Sequence, residues 1–313
     1  MTSARNYFAV GMALAFFASS ASSAWGQAVD IPSIVTGAHG TNSWVSAEYL
    51  HQFETDIDDT PAEMARHSLQ MIAGHRFQMS DEAFLIGNAA YQGSYYDFSN
   101  GGGPEQLVWD DIHQATLMVG FGWKAAEKWT LVAFALGRTS GESGADFGDT
   151  LTGGGGISVD YSWNENLSTG LLFGVISQLE DGAAVLPIPT IDWRFAENWR
   201  FHFGLVEMAY PGIGPELSYR SGAWAFAVGG SYQKRRYRLD DRSGSINEGI
   251  GQEQGFPIFV RVGYAATEKL NLGFTLGTTL GGEIRSEQNG GSRIFDKDYD
   301  PALNLGLRVS YRF

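Results

Sequence analysis

The sequence predicts an all-β fold: a transmembrane up-and-down antiparallel β-barrel of about fourteen strands, with twelve or sixteen also compatible with the pattern. Three observations predict it. Large apolar residues alternate with small or polar ones in many segments, always with the same sidedness. Short and long connections between these segments alternate along the chain. Aromatic residues gather beside the short connections, as rings at a membrane–water boundary do. No stretch reaches 18 consecutive apolar residues, so the chain is not a bundle of membrane helices.

In chain order, residues 1–28 read as an export signal. Arg5 precedes an apolar stretch from Tyr7 to Ala18, followed by small residues from Ser19 to Ala24. The stretch is shorter than the roughly 20 residues of a spanning helix, and cleavage after Ala24 or after Ala28 both fit. Residues 29–43 then form a short periplasmic segment, and residues 44–313 form the barrel.

The strands are expected at 44–53, 64–79, 83–98, 112–125, 129–140, 151–163, 167–179, 186–195, 199–209, 214–221, 223–238, 254–265, 270–285 and 299–313. Each is about as long as the 9–11 residues that a tilted strand needs to cross a bilayer, or longer. In the last strand Leu303, Leu305, Leu307, Val309, Tyr311 and Phe313 alternate with Ala302, Asn304, Gly306, Arg308, Ser310 and Arg312. The same reading puts Trp199, Phe201, Phe203 and Leu205 on one face of the ninth strand, with His202, Gly204 and Val206 on the other.

Short acidic turns join strands at Ser80–Glu82, Ala126–Lys128, Asn164–Asn166, Ala196–Asn198 and Thr267–Lys269. Trp123, Trp129, Trp163, Trp199, Trp224, Tyr264 and Phe313 stand next to this end. Longer stretches at Glu54–Glu63, Ser99–Asp111, Gly141–Thr150, Glu180–Ala184, Leu239–Glu253 and Ser286–Asp298 are expected as outer loops.

The ending Leu307-Arg308-Val309-Ser310-Tyr311-Arg312-Phe313 resembles the C-terminal signature of bacterial outer-membrane β-barrels. That resemblance implies an outer-membrane location and recognition of Tyr311 and Phe313 by the barrel-assembly machinery. Pro187-Ile188-Pro189, Trp193-Arg194, Trp199, Pro215-Glu216-Leu217-Ser218-Tyr219, Arg236-Tyr237-Arg238-Leu239 and the final Arg-Phe fall in an order similar to an uncharacterised family of outer-membrane barrels, known only as a domain of unknown function. This likeness implies the fold and no activity.

With the apolar faces outward, the expected pore-lining residues are Asp160, Asp192, Arg194, Arg200, Glu216, Arg220, Arg261, Arg308 and Arg312, interleaved with glycines that leave room for water. Two interiors fit them: a water-filled passage for small solutes along an Arg-lined wall, or a closed interior held by Arg–carboxylate pairs. The basic run Lys234-Arg235-Arg236-Tyr237-Arg238 fits either contact with outer-membrane lipids and lipopolysaccharide phosphates or pairing with neighbours such as Asp240 and Asp241.

The function expected is passive passage of small solutes; a closed structural or surface-interaction barrel and a lipid-active enzyme are the alternatives. No Gly-x-Ser-x-Gly elbow and no His-Glu-x-x-His motif occurs, so no catalytic residue, metal or cofactor is expected. The chain has no Cys, which excludes disulfides and thiolate metal sites. A net charge of −14 speaks against nucleic acid as a partner.

Overall fold

The computed structural model describes residues 42–99, 109–206, 212–240, 249–288 and 291–313. The expected export segment, and the N-terminal stretch as far as residue 41, lie outside the described residues. So do most of the expected loop Ser99–Asp111 and residues 241–248 of the loop Leu239–Glu253.

Sixteen strand runs are described: β1 (Asn42–Asp56), β2 (Glu63–Gln78), β3 (Ala83–Ser99), β4 (Asp111–Ala126), β5 (Trp129–Glu142), β6 (Leu151–Asn164), β7 (Leu167–Gln178), β8 (Asp181–Ala196), β9 (Trp199–Val206), β10 (Gly212–Ser221), β11 (Trp224–Gly230), β12 (Gln233–Arg238), β13 (Ile250–Ala265), β14 (Leu270–Glu287), β15 (Arg293–Tyr299) and β16 (Ala302–Arg312). Fourteen of them form one closed antiparallel ring: β1 to β11 in order, then β13, β14, β16 and back to β1. The two extra runs continue wall strands. β12 comes after β11 beyond a break at Ser231–Tyr232, and β15 precedes β16 across Asp300–Pro301. The expected count of fourteen therefore holds, with the eleventh and fourteenth strands each broken in two.

Ring closure comes from the ends of the chain. β1 pairs with β16 from Trp44 opposite Arg312 to Gln52 opposite Asn304, and the Phe313 amide donates to the Ser43 carbonyl at 3.0 Å. Closure leaves no free edge at this seam, which a strand in hydrocarbon requires. Fourteen strands about 4.8 Å apart and tilted by about 40° enclose a ring about 28 Å across.

The outward face is apolar. Leu117, Val119, Leu171, Phe173, Val260, Phe274, Leu307 and Val309 are exposed on it, and Trp123, Trp129, Trp163, Trp193, Trp199, Trp224 and Phe313 ring the end that carries the short turns. Their packing is local: Trp129 lies 4.8 Å from Tyr161, and Trp224 lies 4.8 Å from Tyr264, centroid to centroid. The long-connection end differs from the expected loops. β8 begins at Asp181 straight after a turn at Leu179–Glu180, so the expected loop Glu180–Ala184 is strand. Most of the expected loop Ser286–Asp298 is strand as well, the upper part of β14 paired with β15.

The ninth strand also departs from expectation. Gly204 has φ +149°, a backbone state that side-chain-bearing residues rarely adopt. The strict alternation ends there. Leu205, expected outward with Trp199, Phe201 and Phe203, is buried inside the ring, and so is Val206.

Candidate functional site

The site is the interior of the ring, and it has three tiers. At the short-turn end lies a polar cavity of about 580 Å³, lined among others by Arg76, Lys124, Asp160, Asp192 and Arg194. Asp160 is buried, and it accepts hydrogen bonds from the hydroxyls of Ser158 at 2.7 Å and Thr190 at 3.1 Å. Arg200 grips Asp192 with two nitrogens, Nε at 2.8 Å and Nη2 at 2.6 Å. Arg261 pairs with Glu216 at 3.3 Å. Arg308 donates from Nε to the Ser46 hydroxyl at 3.2 Å. Arg194, Arg220 and Arg312 are exposed at this end. Two of the expected wall arginines thus have carboxylate partners, as the closed-interior alternative requires. Arg76 lies with its guanidinium carbon 3.7 Å from the centre of the Phe84 ring, a cation–π contact that roofs the cavity.

Phe84 also belongs to the middle tier, an apolar waist. Phe84, Ile86, Met118, Val132, Phe134, Leu172, Ile176, Leu186, Ile188 and Leu205 are buried there in one cluster, with Trp44, Leu136 and Ile213 packed against it. Pattern reading missed these side chains. Their signal was present in the runs Phe84-Leu85-Ile86, Leu131–Leu136 and Leu171-Leu172-Phe173, which are apolar on both faces. The expectation that inward glycines leave room for water is corrected at Gly229, and two further glycines, Gly74 and Gly122, are crowded in the same way. A Cβ at Gly122 would fall 2.1 Å from the Phe84 ring, one at Gly74 2.2 Å from Trp44, and one at Gly229 2.8 Å from Phe259. The glycines make room for neighbouring rings.

The third tier closes the long-loop end. β12 and the first residues of β13 form a hairpin, Gln233 opposite Gly255 to Arg238 opposite Ile250. Its β13 arm stays in the wall, laddered to β14 from Ile250 opposite Glu287 to Gln254 opposite Glu283, while its β12 arm leaves the line of β11. Arg238 bridges to Gly141 of β5, which stands six places from β11 around a ring of fourteen. The β12 arm therefore crosses the mouth, from β13 to β5. Ser140 of β5 donates to the Arg236 carbonyl at 2.9 Å, and Arg236 pairs with Glu287 of β14 at 3.0 Å. Arg238 pairs with Glu180 of the β7–β8 turn. The Tyr237 ring sits 4.8 Å from Trp109, within a second apolar cluster with Ile57, Met64, Tyr96, Ile284 and Tyr299.

Glu253 holds the crossing together. It receives Arg66 of β2 at 2.6 and 2.7 Å, Arg235 of β12, the Tyr96 hydroxyl at 2.6 Å and the Tyr299 hydroxyl at 3.3 Å. All five residues are buried. A carboxylate out of water needs this many donors, because an unpaired buried charge is very costly. Arg235, Arg236 and Arg238 are consequently buried against carboxylates and do not face lipid phosphates; Asp241, one expected neighbour, lies outside the described residues. The break at Ser231–Tyr232 turns the strand inward, toward Glu253, Glu287 and Glu180.

Among the described residues, no group of three or more His, Asp or Glu side chains is arranged to hold a metal ion. Sequence comparison matches the model of a family described as a domain of unknown function, DUF6268, over residues 44–313. No curated protein matches the chain. Among solved structures, the chain is similar to a deltaS2 mutant of the TodX monoaromatic hydrocarbon channel, at 8% identity and a TM-score of 0.51, covering 93% of this chain and 96% of that one. It is also similar to the COG4313 outer membrane channel from Pseudomonas putida F1, at 12% identity and a TM-score of 0.49, covering 88% and 97%. At such identities the likeness is one of fold: a closed barrel of the outer-membrane channel kind.

Proposed function

The chain belongs to the DUF6268 family, and from that premise and the three-tiered interior we propose that it is a passive outer-membrane channel for small solutes, held shut at its outer mouth by the β12–β13 hairpin. The observation that carries this reading is the character of the closure. The β12 arm reaches the far wall through one strand bridge, one hydroxyl contact and a few ion pairs, not through a continuous ladder, whereas the β13 arm is laddered to β14. Such a contact separates at far lower cost than a wall strand. A purely structural barrel has no use for a closure of this kind. The TodX variant shares the fold, and its name describes a channel and not an enzyme.

In this reading the short-turn end faces the periplasm, and the outward apolar belt faces outer-membrane lipids. Asp160, Asp192, Arg194, Arg200, Glu216, Arg220, Arg261, Arg308 and Arg312 form the polar lower wall. The inner mouth carries Arg194, Arg220 and Arg312, but the cavity there is also lined by Asp81, Glu82, Glu127, Asp160 and Glu165 beside Arg76, Lys124 and Lys128, so both signs of charge face the solute. The waist sets the solute class: small, and apolar or amphipathic, since it offers hydrocarbon where a general porin offers water. The name of TodX, a monoaromatic hydrocarbon channel, is in keeping with such a class.

The test is planar-bilayer recording of the refolded barrel, paired with vesicle swelling in small solutes. Rare, brief current steps are expected from the intact chain. A barrel that stays silent and excludes every solute even after removal of the hairpin would overturn the reading.

A further inference from the structure

The ring is closed in topology, yet its wall has a break. β7 pairs with β8 along the whole upper half of β8, from Ile191 opposite Thr169 to Asp181 opposite Gln178. On the other side, β9 pairs with β8 only from Ala196 to Ile191. Among the described residues, 183–190 have no strand partner on that side. At about 2.5 Å of height per tilted residue, this edge spans roughly 20 Å and starts just above the aromatic ring of Trp193 and Trp199, within the depth of the bilayer.

The cause lies in β9. It runs beside β8 up to Phe203, then turns inward at Gly204. Its tip leaves the wall: Val206 packs against Leu50 of β1 and Phe259 of β13. β1 lies six places away around the ring, so the tip reaches well into the lumen. β10 goes with it, Gly212 opposite Val206 and Ile213 opposite Leu205.

An open edge in hydrocarbon exposes unpaired amides, and this is normally forbidden. β8 reduces the penalty by its sequence. The Arg194 amide donates to Asn166 of the β7 side, so even-numbered amides of β8 point to β7 and odd-numbered ones point to the open edge. Pro187 and Pro189 stand at odd positions on the open stretch. Both lack the amide that would otherwise face the gap, the device that edge strands use against pairing. The same absence makes the edge a poor template for a strand from another chain. Behind it lie Ala184, Leu186, Ile188 and Leu205, all part of the apolar waist.

We propose that the break between β8 and β9 is a lateral portal, through which a small apolar or amphipathic solute passes between the waist and the hydrocarbon layer of the membrane. The proposal rests on the channel reading above and adds a route to it. Solute that enters the waist need not cross the polar cavity at the short-turn end; it leaves sideways, where both the waist and the lipid are apolar. Arg76, stacked on Phe84 between waist and cavity, opposes an apolar solute that continues downward.

The experiment dissolves a monoaromatic diazirine in the lipid of reconstituted vesicles, photolyses it, and maps adducts by mass spectrometry. Adducts are expected on outward Phe173 and Val185 and also on inward Leu186, Ile188 and Leu205. Labelling confined to outward residues, in a barrel that still conducts on removal of the hairpin, would show a continuous wall and overturn the portal while sparing the channel. A second measurement uses the Cys-free background. A fluorophore on an Ile188→Cys chain should be quenched by nitroxide lipids, and one on a Met118→Cys chain, behind the intact β3–β4–β5 wall, should not. Equal quenching at both sites would count against the portal. Pro189→Cys chains that oxidise to dimers in the membrane would show that a second copy covers the edge, and would overturn it too.

Discussion

Glu253 is the residue on which the closure turns, because it serves two guanidinium groups and two phenols in a space without water. Removing one partner of such a group is costly, about 3–5 kcal/mol, since the remaining charges stay buried and uncompensated. Glu253→Gln keeps the shape and removes the charge, leaving Arg66 and Arg235 facing each other. The expected outcome is release of the hairpin with the wall intact: longer and more frequent channel openings, and protease cleavage in residues 239–249, with the heat-resistant folded band retained on a gel. A variant whose openings match those of the parent would show that the cluster is not the latch. A different residue tests the waist. A Cβ at Gly122 would fall 2.1 Å from the Phe84 ring, and the neighbouring wall leaves the ring little room. Gly122→Val should lower the unfolding midpoint in denaturant, by about 1–3 kcal/mol of overpacking. Gly137, where an added Cβ meets nothing within 4 Å, is the control that should not.

At the scale of elements, strand positions and turns were legible in the sequence because each wall strand has one lipid-facing apolar row, which a period of two exposes directly. Trp129, Trp199 and Trp224 marked the correct end for the same reason. Elements that leave the wall were not legible. β12 reads in the sequence as the continuation of the eleventh wall strand, and only the distant partners Glu180, Glu253 and Glu287 show that its arginines turn inward. Leu205 was assigned outward because the strand leaves the wall at one glycine with φ +149°, after which both Leu205 and Val206 are inside, and composition does not reveal which glycine will do so. The Arg200–Asp192 and Arg261–Glu216 pairs arise between cross-strand neighbours and were foreseeable as an alternative. The hairpin supplies the element-scale prediction. Replacing residues 233–253 by a short Gly-Ser turn should leave a folded barrel, since it removes only the last rungs of the β13–β14 ladder, Ile250–Glu253, and the β11–β13 ladder runs from Trp224 opposite Tyr264 to Gly230 opposite Ile258 without it. Circular dichroism should remain that of a sheet, and the number of open events in a planar bilayer should rise. Loss of folding would mean that the hairpin is part of the wall's stability and not a lid on it.

At the scale of the whole molecule, the interior is a series of barriers, and resistances in series add. Opening the outer mouth exposes the waist, where Phe84, Phe134, Leu172, Leu186 and Ile188 offer no partner for water or ions. An apolar constriction of this kind impedes ions by staying dry even when its walls do not touch. The hairpin deletion alone should therefore give small ionic currents, and Phe134→Ser alone should give none, since the mouth remains shut. The combination should conduct far better than the sum of the two, and its selectivity should then report the charges of the inner mouth, turning toward cations when Arg194 and Arg220 are both changed to Gln. Apolar solute behaves in the opposite sense. The waist that stops ions accommodates it, and the gap beside Pro187 and Pro189 gives it an exit that ions cannot use. Labelling of Ile188 from the lipid should thus persist in the intact chain, which opens rarely and briefly, while large ionic current requires both barriers to be removed. If a single change at the outer mouth were enough for porin-sized currents, the waist would be a wide and wetted passage, and the molecule would have one gate rather than two.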